Sequence, residues 1–139
     1  YACAKVGMNF ASASPKGYEP NAQVVANAKL DAAQSGSTIE ILNDPFAAAK
    51  DADILYTDVW ASMGQEAEHD ERVKIFKDYQ INNELLSVAD KRAIVMHCLP
   101  AHRGEEIDED VLEKNANVIF DEAENRLHTQ KAIMALLMG

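Results

Sequence analysis

The residues best suited to chemistry stand directly after a short apolar run in the second half of the chain. Residues 93–96 read Ala-Ile-Val-Met, and residues 97–103 continue as His-Cys-Leu-Pro-Ala-His-Arg. An apolar run bounded by charge and by a proline turn is typical of a buried strand. Pro100, which has no N–H group, should end that strand. The thiol, the two imidazoles and the guanidinium that follow could serve as a nucleophile, as metal ligands or as substrate-binding groups.

Polar groups also follow two other strand-like runs. Residues 54–57 form an apolar run that ends at Asp58, and Ser62 comes a few residues later. Residues 118–120 predict the last strand, which is followed by acidic residues and then by Arg126 near the start of a helix. The carboxyl ends of parallel strands share one edge of a sheet. The sequence therefore predicts a crevice at that edge, lined by a carboxylate, a thiol, a hydroxyl and an arginine.

The elements that must position these groups alternate between strands and helices. Strand patterns occur at residues 8–13, 38–42, 54–57, 93–96 and 118–120. Helical patterns separate them, and a final helix from about residue 124 to 138 is expected to bury Ile133, Met134, Leu137 and Met138. This alternation predicts an α/β fold with a parallel sheet and helices on both faces, a Rossmann-like three-layer sandwich.

The length of the chain bears on its domain organisation. The sequence has 139 residues, which is enough for one domain with its own core and too few for two. Residues 1–7 resemble the last turns of a helix that Gly7 ends, but no cap or first turn precedes them. We therefore expect a single domain that begins inside a helix and is a piece of a longer protein.

Composition excludes several classes of partner. The formal net charge is −10 at pH 7, which disfavours binding to nucleic acids and to anionic membranes because both need a basic face. No apolar run approaches the roughly 20 residues that span a bilayer, and no signal peptide is visible. Cys3 and Cys98 are the two cysteines, and we interpret them as free thiols of a reducing compartment, the cytoplasm by default.

Simpler interpretations of the candidate site residues remain open. Asp58 could cap a turn, and Cys98 could be a small buried apolar residue. His97 and His102 could bond to local carbonyl groups. A metal site made of these two histidines and Cys98 is disfavoured because adjacent strand residues point to opposite faces, so neither a metal nor another cofactor is expected. A nucleophilic pair of Cys98 with a histidine is supported by proximity alone.

Other features near these residues have ordinary explanations. The acidic run at residues 105–110 is expected to be a solvated face, and Trp60 could simply pack on the core. No glycine-rich phosphate-binding loop follows any predicted strand, which disfavours a nucleotide-binding Rossmann-like module. Only four arginines are present: Arg72, Arg92, Arg103 and Arg126. A site for a highly charged phosphate ligand is hard to build from so few.

Three motifs together closely resemble the ornithine carbamoyltransferase family. They are His-Cys-Leu-Pro at 97–100, Asp-Val-Trp-Ala-Ser-Met-Gly at 58–64 and Phe-Asp-Glu-Ala-Glu-Asn-Arg-Leu-His-Thr-Gln at 120–130. The resemblance covers essentially all 139 residues. The family has two domains, and residues 1–139 resemble the carboxy-terminal, ornithine-binding one, starting inside its first helix. The Ser-Thr-Arg-Thr and His-Pro-x-Gln motifs of the amino-terminal, carbamoyl-phosphate-binding domain are absent.

The resemblance implies a reaction and a set of partners. The enzyme of this family transfers a carbamoyl group from carbamoyl phosphate to the δ-amine of ornithine, giving citrulline and phosphate in arginine metabolism. It needs the missing amino-terminal domain and is usually a trimer or a multiple of trimers, so this chain alone is expected to be inactive. Alternatives are a carbamoyltransferase for putrescine or N-acetylornithine, and a non-catalytic small-molecule-binding domain.

The resemblance also implies roles for particular residues. Asp58 pairs with the α-ammonium of ornithine, and a loop that closes over the amino-acid head contributes two further binding residues, Ser62 and Met63. Cys98 and the Leu99 carbonyl approach the δ-amine, with Cys98 as a positioning and proton-handling group rather than a covalent nucleophile. Arg126 donates to the carbamoyl oxygen, where negative charge develops in the transition state. Cys98 and Arg126 are thus the catalytic candidates.

Overall fold

The computed structural model describes residues 1–61, 64 and 66–139. Helices alternate with parallel strands, so the α/β class predicted from the sequence is confirmed. Contacts divide the chain into two compact units, residues 1–50 and 51–139. Each unit contains one pair of parallel strands. All the candidate site residues belong to the second unit.

The first unit is built from three helices and two strands. They are α1 (Ala2–Val6), β1 (Phe10–Ala13), α2 (Ala22–Ser35), β2 (Ile39–Leu42) and α3 (Pro45–Ala49). The two strands run parallel, with Phe10 opposite Ile39. The core of this unit consists of three buried alanines, Ala4, Ala28 and Ala32, with Ile39 packed against them. Small side chains at these positions allow α1 and α2 to pack closely.

Local sequence signals explain where these helices begin and end. Gly7 and Gly36 adopt the left-handed conformation (φ 80° at each) that ends α1 and α2, as glycine does without steric cost. The Asp44 carboxylate accepts hydrogen bonds from two backbone N–H groups and caps α3. Asn21 caps α2 in the same way, since its side chain accepts hydrogen bonds from the N–H groups of Gln23 and Val24.

The second unit contains the remaining six labelled elements. They are β3 (Ile54–Thr57), α4 (His69–Phe76), α5 (Asn83–Leu86), β4 (Ile94–His97), α6 (Glu109–Lys114) and α7 (Ala116–Met138). Short 3₁₀ turns at Glu66–Glu68 and Lys77–Tyr79 flank α4. β3 and β4 pair in parallel, and Thr57 lies opposite His97. The chain therefore leaves both strands at the same edge, next to each other.

The last strand predicted from the sequence, at residues 118–120, is wrong. These residues belong to α7, which runs without interruption from Ala116 to Met138. Three consecutive apolar residues do not distinguish a strand from a buried helix segment. The 23 residues of α7 include neither glycine nor proline and are rich in strong helix formers. Ile119 is fully buried, and α7 packs against β4.

The expected burial of the carboxy-terminal part of α7 is also wrong. Ile133, Met134, Leu137 and Met138 are all exposed, with Leu137 and Met138 at 80% and 82%. The apolar spacing that predicted burial identifies a helix face but not its partner. The buried residues of the second unit lie instead nearer the strands, for example Leu55 in β3, Val95 in β4, Val111 in α6 and Ile119 in the first turn of α7. No helix in the described part of the chain has the length and apolarity needed to cross a membrane.

Candidate functional site

The parallel pairing of β3 and β4 brings Asp58 and Cys98 together, since each is the first residue after its strand. Partial burial raises the pKa of the Cys98 thiol, and the hydrogen-bonding Asp58 carboxylate beside it raises that pKa further. A negative charge next to a thiol disfavours the thiolate. Cys98 is therefore a neutral thiol near pH 7, which favours a hydrogen-bonding role over a nucleophilic one.

Glu122 connects this strand edge to α7. Its Oε1 accepts a hydrogen bond from the Tyr56 hydroxyl at 2.7 Å, and its Oε2 accepts one from the His97 N–H at 3.1 Å. Desolvation of the Tyr56 hydroxyl and its bond to Glu122 raise the pKa of Tyr56. Sequence reasoning did not include Tyr56, although it stands two residues before Asp58 and so on the same face of the strand.

Arg126 lies on α7, one helical turn beyond Glu122. Residues four apart occupy the same face of a helix, and only Glu122 is bonded to the strand edge; that Arg126 reaches Asp58 and Cys98 stays a prediction. The prediction that a strand precedes it is corrected, because Arg126 is inside a long helix. Its side chain is exposed, and it makes no hydrogen bond or ion pair within the part of the chain that the structure describes.

A buried histidine–glutamate pair supports the turn that follows β4. His97 and Glu106 are both 0% exposed, and their side chains bond at 3.0 Å. His97 Nδ1 accepts the Leu99 N–H at 2.9 Å, so the ring proton lies on Nε2 and is donated to Glu106. Both ring nitrogens are thus engaged, which does not support the metal site considered for His97 with Cys98 and His102.

Glu106 corrects the expectation that residues 105–110 are a solvated face. Burial raises the pKa of Glu106, but hydrogen bonds from His97 and from the His102 N–H outweigh it, and the net pKa is lowered. The carboxylate is therefore ionised and buried. The acidic composition of this run does not show that Glu106 is buried. Its partner, His97, is nine residues away in the sequence, and the pairing is seen only in the fold.

Leu99 has a left-handed backbone with φ 52°, a conformation that is uncommon for residues with a side chain. Its N–H is fixed on His97, and His97 is fixed on Glu106. The buried pair thus holds a strained turn directly after Cys98. Such strain tends to persist at functional positions.

The segment that follows β3 is attached to α4. The Trp60 ring stacks on Phe76 with centroids 5.9 Å apart, and the Trp60 carbonyl accepts a hydrogen bond from Arg72 at 3.1 Å. The interpretation that Trp60 packs on the core is corrected, because Trp60 and its stacking partner Phe76 are both only partly buried. Two predicted binding residues of this segment, Ser62 and Met63, lie outside the described residues.

These contacts define what the site can do. A carboxylate, a neutral thiol and an exposed guanidinium come from the ends of β3 and β4 and from the adjoining helix. They can bind an ammonium group, orient an amine and donate to a developing oxyanion. A separate group of possible metal ligands, His69, His102 and Glu105, has ligand atoms within 4.8 Å of one another.

Comparison with known families gives a match over almost the whole chain. The profile of the family described as "Aspartate/ornithine carbamoyltransferase, Asp/Orn binding domain" matches residues 1–137. Among curated proteins, the ornithine carbamoyltransferase of Thermococcus kodakarensis is 58% identical over 135 residues, which are 97% of this chain and 43% of that protein.

Solved structures give the same result. The crystal structure of ornithine carbamoyltransferase from Gloeobacter violaceus is 52% identical with a TM-score of 0.88, and it is matched over 99% of this chain and 45% of its own. The ornithine carbamoyltransferase structure from Pyrococcus furiosus is 54% identical with a TM-score of 0.92, over 99% and 44%. The chain thus spans less than half the length of these relatives.

Proposed function

Because the chain belongs to the aspartate/ornithine carbamoyltransferase family, we propose that residues 1–139 are the ornithine-binding domain of a carbamoyltransferase. The proposed reaction moves a carbamoyl group from carbamoyl phosphate to the δ-amine of ornithine and yields citrulline and phosphate. The observation that carries this proposal is the adjacency of Asp58 and Cys98 at the ends of β3 and β4. It supports a site in which a carboxylate and a neutral thiol face one diamine substrate.

The chemistry of the substrate explains the residue types. An alkyl amine has a pKa of about 10.4 and attacks a carbonyl only when it is neutral. A neutral thiol can accept a hydrogen bond from the δ-amine and orient its lone pair without competing for the carbamoyl carbon. The elevated pKa of Cys98 supports this positioning role. In this proposal the Leu99 carbonyl is the second acceptor, held by the strained turn.

Charge accounts for the other two roles. We assign Asp58 to the α-ammonium of ornithine, because a carboxylate has two oxygens and can meet the ammonium and the thiol together. Arg126 is assigned to the carbamoyl oxygen. Its exposed guanidinium has no partner among the described residues, so it can donate hydrogen bonds to the negatively charged oxygen of the tetrahedral intermediate. Ser62 and Met63 keep their assignment near the amino-acid head as an expectation from family resemblance.

The exposed apolar face of α7 supports the proposed need for a second domain. Its apolar side chains are largely solvent-accessible, including Leu127 at 67% and Leu136 at 84%. Large exposed apolar patches mark interaction sites. We propose that a carbamoyl-phosphate-binding domain covers part of this face, and that the complete enzyme is a cytoplasmic trimer or multiple of trimers. Without that domain, the chain should form no citrulline.

A calorimetric ligand series tests the substrate. L-Ornithine, N-acetylornithine and putrescine are titrated into the chain, and each titration is repeated with Asp58→Asn. Ornithine should bind most tightly, and Asp58→Asn should weaken it at least tenfold while leaving N-acetylornithine unchanged, since the acetyl group removes the α-ammonium charge. Tighter binding of N-acetylornithine or putrescine would replace the ornithine assignment with that alternative. Binding of none of them would leave no basis for a substrate-binding role of this chain alone.

A further inference from the structure

A second cluster of chemically active side chains lies beside the proposed substrate site. His69 is the first residue of α4, and His102 and Glu105 are three apart in the turn that follows β4. His69 Nε2 lies 3.0 Å from Glu105 Oε2, and His102 Nδ1 lies 3.5 Å from the same oxygen. The two imidazole rings meet edge to face, with centroids 5.9 Å apart.

These separations approach those of a coordination shell. Bonds of about 2.0–2.1 Å to a tetrahedral zinc ion place the ligand atoms about 3.3–3.4 Å apart. Two of the three separations are already close to this value, and all three ligand atoms lie within 4.8 Å of one another. Side-chain exposures of 32% for His69 and 44% for His102 leave room for rotation and for water.

Neighbouring side chains orient the possible metal ligands. The Asp70 carboxylate lies 3.3 Å from His69 Nδ1, and a hydrogen bond there would leave Nε2 as the free ligand atom, as carboxylates do around zinc-binding histidines. The Gln80 side chain donates to the Gly104 and Glu105 carbonyls at 2.9 and 2.8 Å. The Glu105 N–H bonds the His102 carbonyl at 3.0 Å. The turn that carries two of the ligands is therefore braced.

We propose that His69, His102 and Glu105 form a binding site for a divalent cation of the zinc type. Two imidazoles and one carboxylate favour zinc, cobalt or nickel over magnesium or calcium, which prefer oxygen ligands. Three protein ligands leave one position for water. The bound cation would fasten the start of α4 to the turn after β4. The site does not depend on the proposed transfer reaction, because none of its ligands is assigned to substrate.

This site differs from the sequence-based expectation of no metal. The earlier alternative grouped His102 with His97 and Cys98 because they are neighbours in the sequence. His69 and Glu105 are 36 residues apart, and only the fold brings them together. His97 is excluded from the set because Glu106 and the Leu99 N–H occupy its two ring nitrogens.

Cobalt absorption spectroscopy tests the site. Co²⁺ is titrated into the 139-residue chain carrying Cys3→Ser and Cys98→Ser, so that neither thiol can act as a ligand. We expect one Co²⁺ per chain, with the intense visible d–d bands of four- or five-coordinate cobalt. His69→Asn and His102→Asn should abolish these bands, and Asp70→Asn should weaken binding about tenfold.

His128→Asn is the matched control. His128 Nε2 lies 3.0 Å from Glu124 Oε1 on α7, so it forms the same kind of exposed pair but has no third ligand among the residues that the structure describes. This variant should bind Co²⁺ like the parent. Far-ultraviolet circular dichroism checks the fold of each variant, and Asp70→Asn alters a side chain that is 97% exposed, so its folding is secure. Absent d–d bands, or bands that Asp70→Asn and His69→Asn leave unchanged, would overturn the proposal.

Discussion

The two segments that leave the sheet edge of the second unit are held in different ways. The segment after β4 is fixed by a fully buried, hydrogen-bonded pair, His97 and Glu106, and by backbone bonds to Ile81. The described part of the segment after β3 is held from the surface, by the stacking of Trp60 on Phe76 and by Arg72. One segment is supported by the core and the other by side chains of a single helix.

This difference matches two functions in the proposed site, the positioning of the reacting amine and the admission of substrate. The buried pair fixes the strained Leu99 backbone next to Cys98, so the groups that meet the reacting amine stay in one position. Surface contacts on the other side can break and form again at little cost, which suits a segment that must admit a substrate. Preorganisation is thus concentrated beside Cys98, the residue that we propose contacts the reacting amine.

Removing the buried carboxylate should have the largest effect. Glu106→Ala leaves His97 without its partner and the His102 N–H without its acceptor. Each buried hydrogen-bond donor left without its acceptor costs about 1–3 kcal/mol, and this variant leaves two such donors. Urea denaturation followed by circular dichroism measures the change. Glu105→Ala is the matched control, since the adjacent carboxylate is partly exposed and should alter stability only slightly. Equal stabilities of the two variants would contradict the contrast between buried and surface support.

Removing the surface stack should cost less. Trp60→Ala deletes the ring that stacks on Phe76, and such aromatic pairs contribute about 0.5–1.5 kcal/mol beyond their buried area. Denaturation should show a loss of about that size, much smaller than for Glu106→Ala. Trp60→Phe keeps an aromatic ring and should restore most of it. If Trp60→Ala destabilised the chain as much as Glu106→Ala, the segment after β3 would be part of the core.

The smallest expected effect is on the reactivity of Cys98, which lies beside Asp58 where the two segments begin. Burial and the Asp58 carboxylate raise the pKa of Cys98, so the thiolate fraction near pH 8 is low. Asp58→Asn removes the negative charge and should lower this pKa, which speeds alkylation of Cys98 by iodoacetamide severalfold. The rate is measured against pH by mass spectrometry in a Cys3→Ser background, with Asp53→Asn as the control. An unchanged rate would show that Asp58 does not act on the thiol.

The sequence was sufficient for features that depend on short-range signals. Gly7 predicted the end of α1, and the apolar runs at 54–57 and 93–96 predicted β3 and β4. These signals act over a few residues and do not need the fold. The parallel pairing of β3 and β4 then follows from their alternation with helices, and the nearness of Asp58 and Cys98 follows from the pairing.

Features that depend on distant partners could not be predicted in this way. Residues 118–120 were predicted to be a strand, but three apolar residues are too few to distinguish the period of a strand from that of a helix. They belong to α7. Glu106 stands in an acidic run whose other carboxylates are exposed or only partly buried, and its own burial is accompanied by a hydrogen bond to His97. Ile133 and Leu137 have helical spacing, but spacing says nothing about which surface covers them. In each case the missing information lies in another part of the chain.

Amide NMR can show whether Asp58 and Cys98 contact the same ornithine molecule. Ornithine is titrated into isotope-labelled chain, and shifts are assigned residue by residue. If the ends of β3 and β4 share one ornithine site, the largest shifts should occur together at Asp58, Val59, Cys98 and Leu99, with a smaller one at Arg126. Shifts limited to one of the two segments, or centred in residues 1–50, would contradict the shared site.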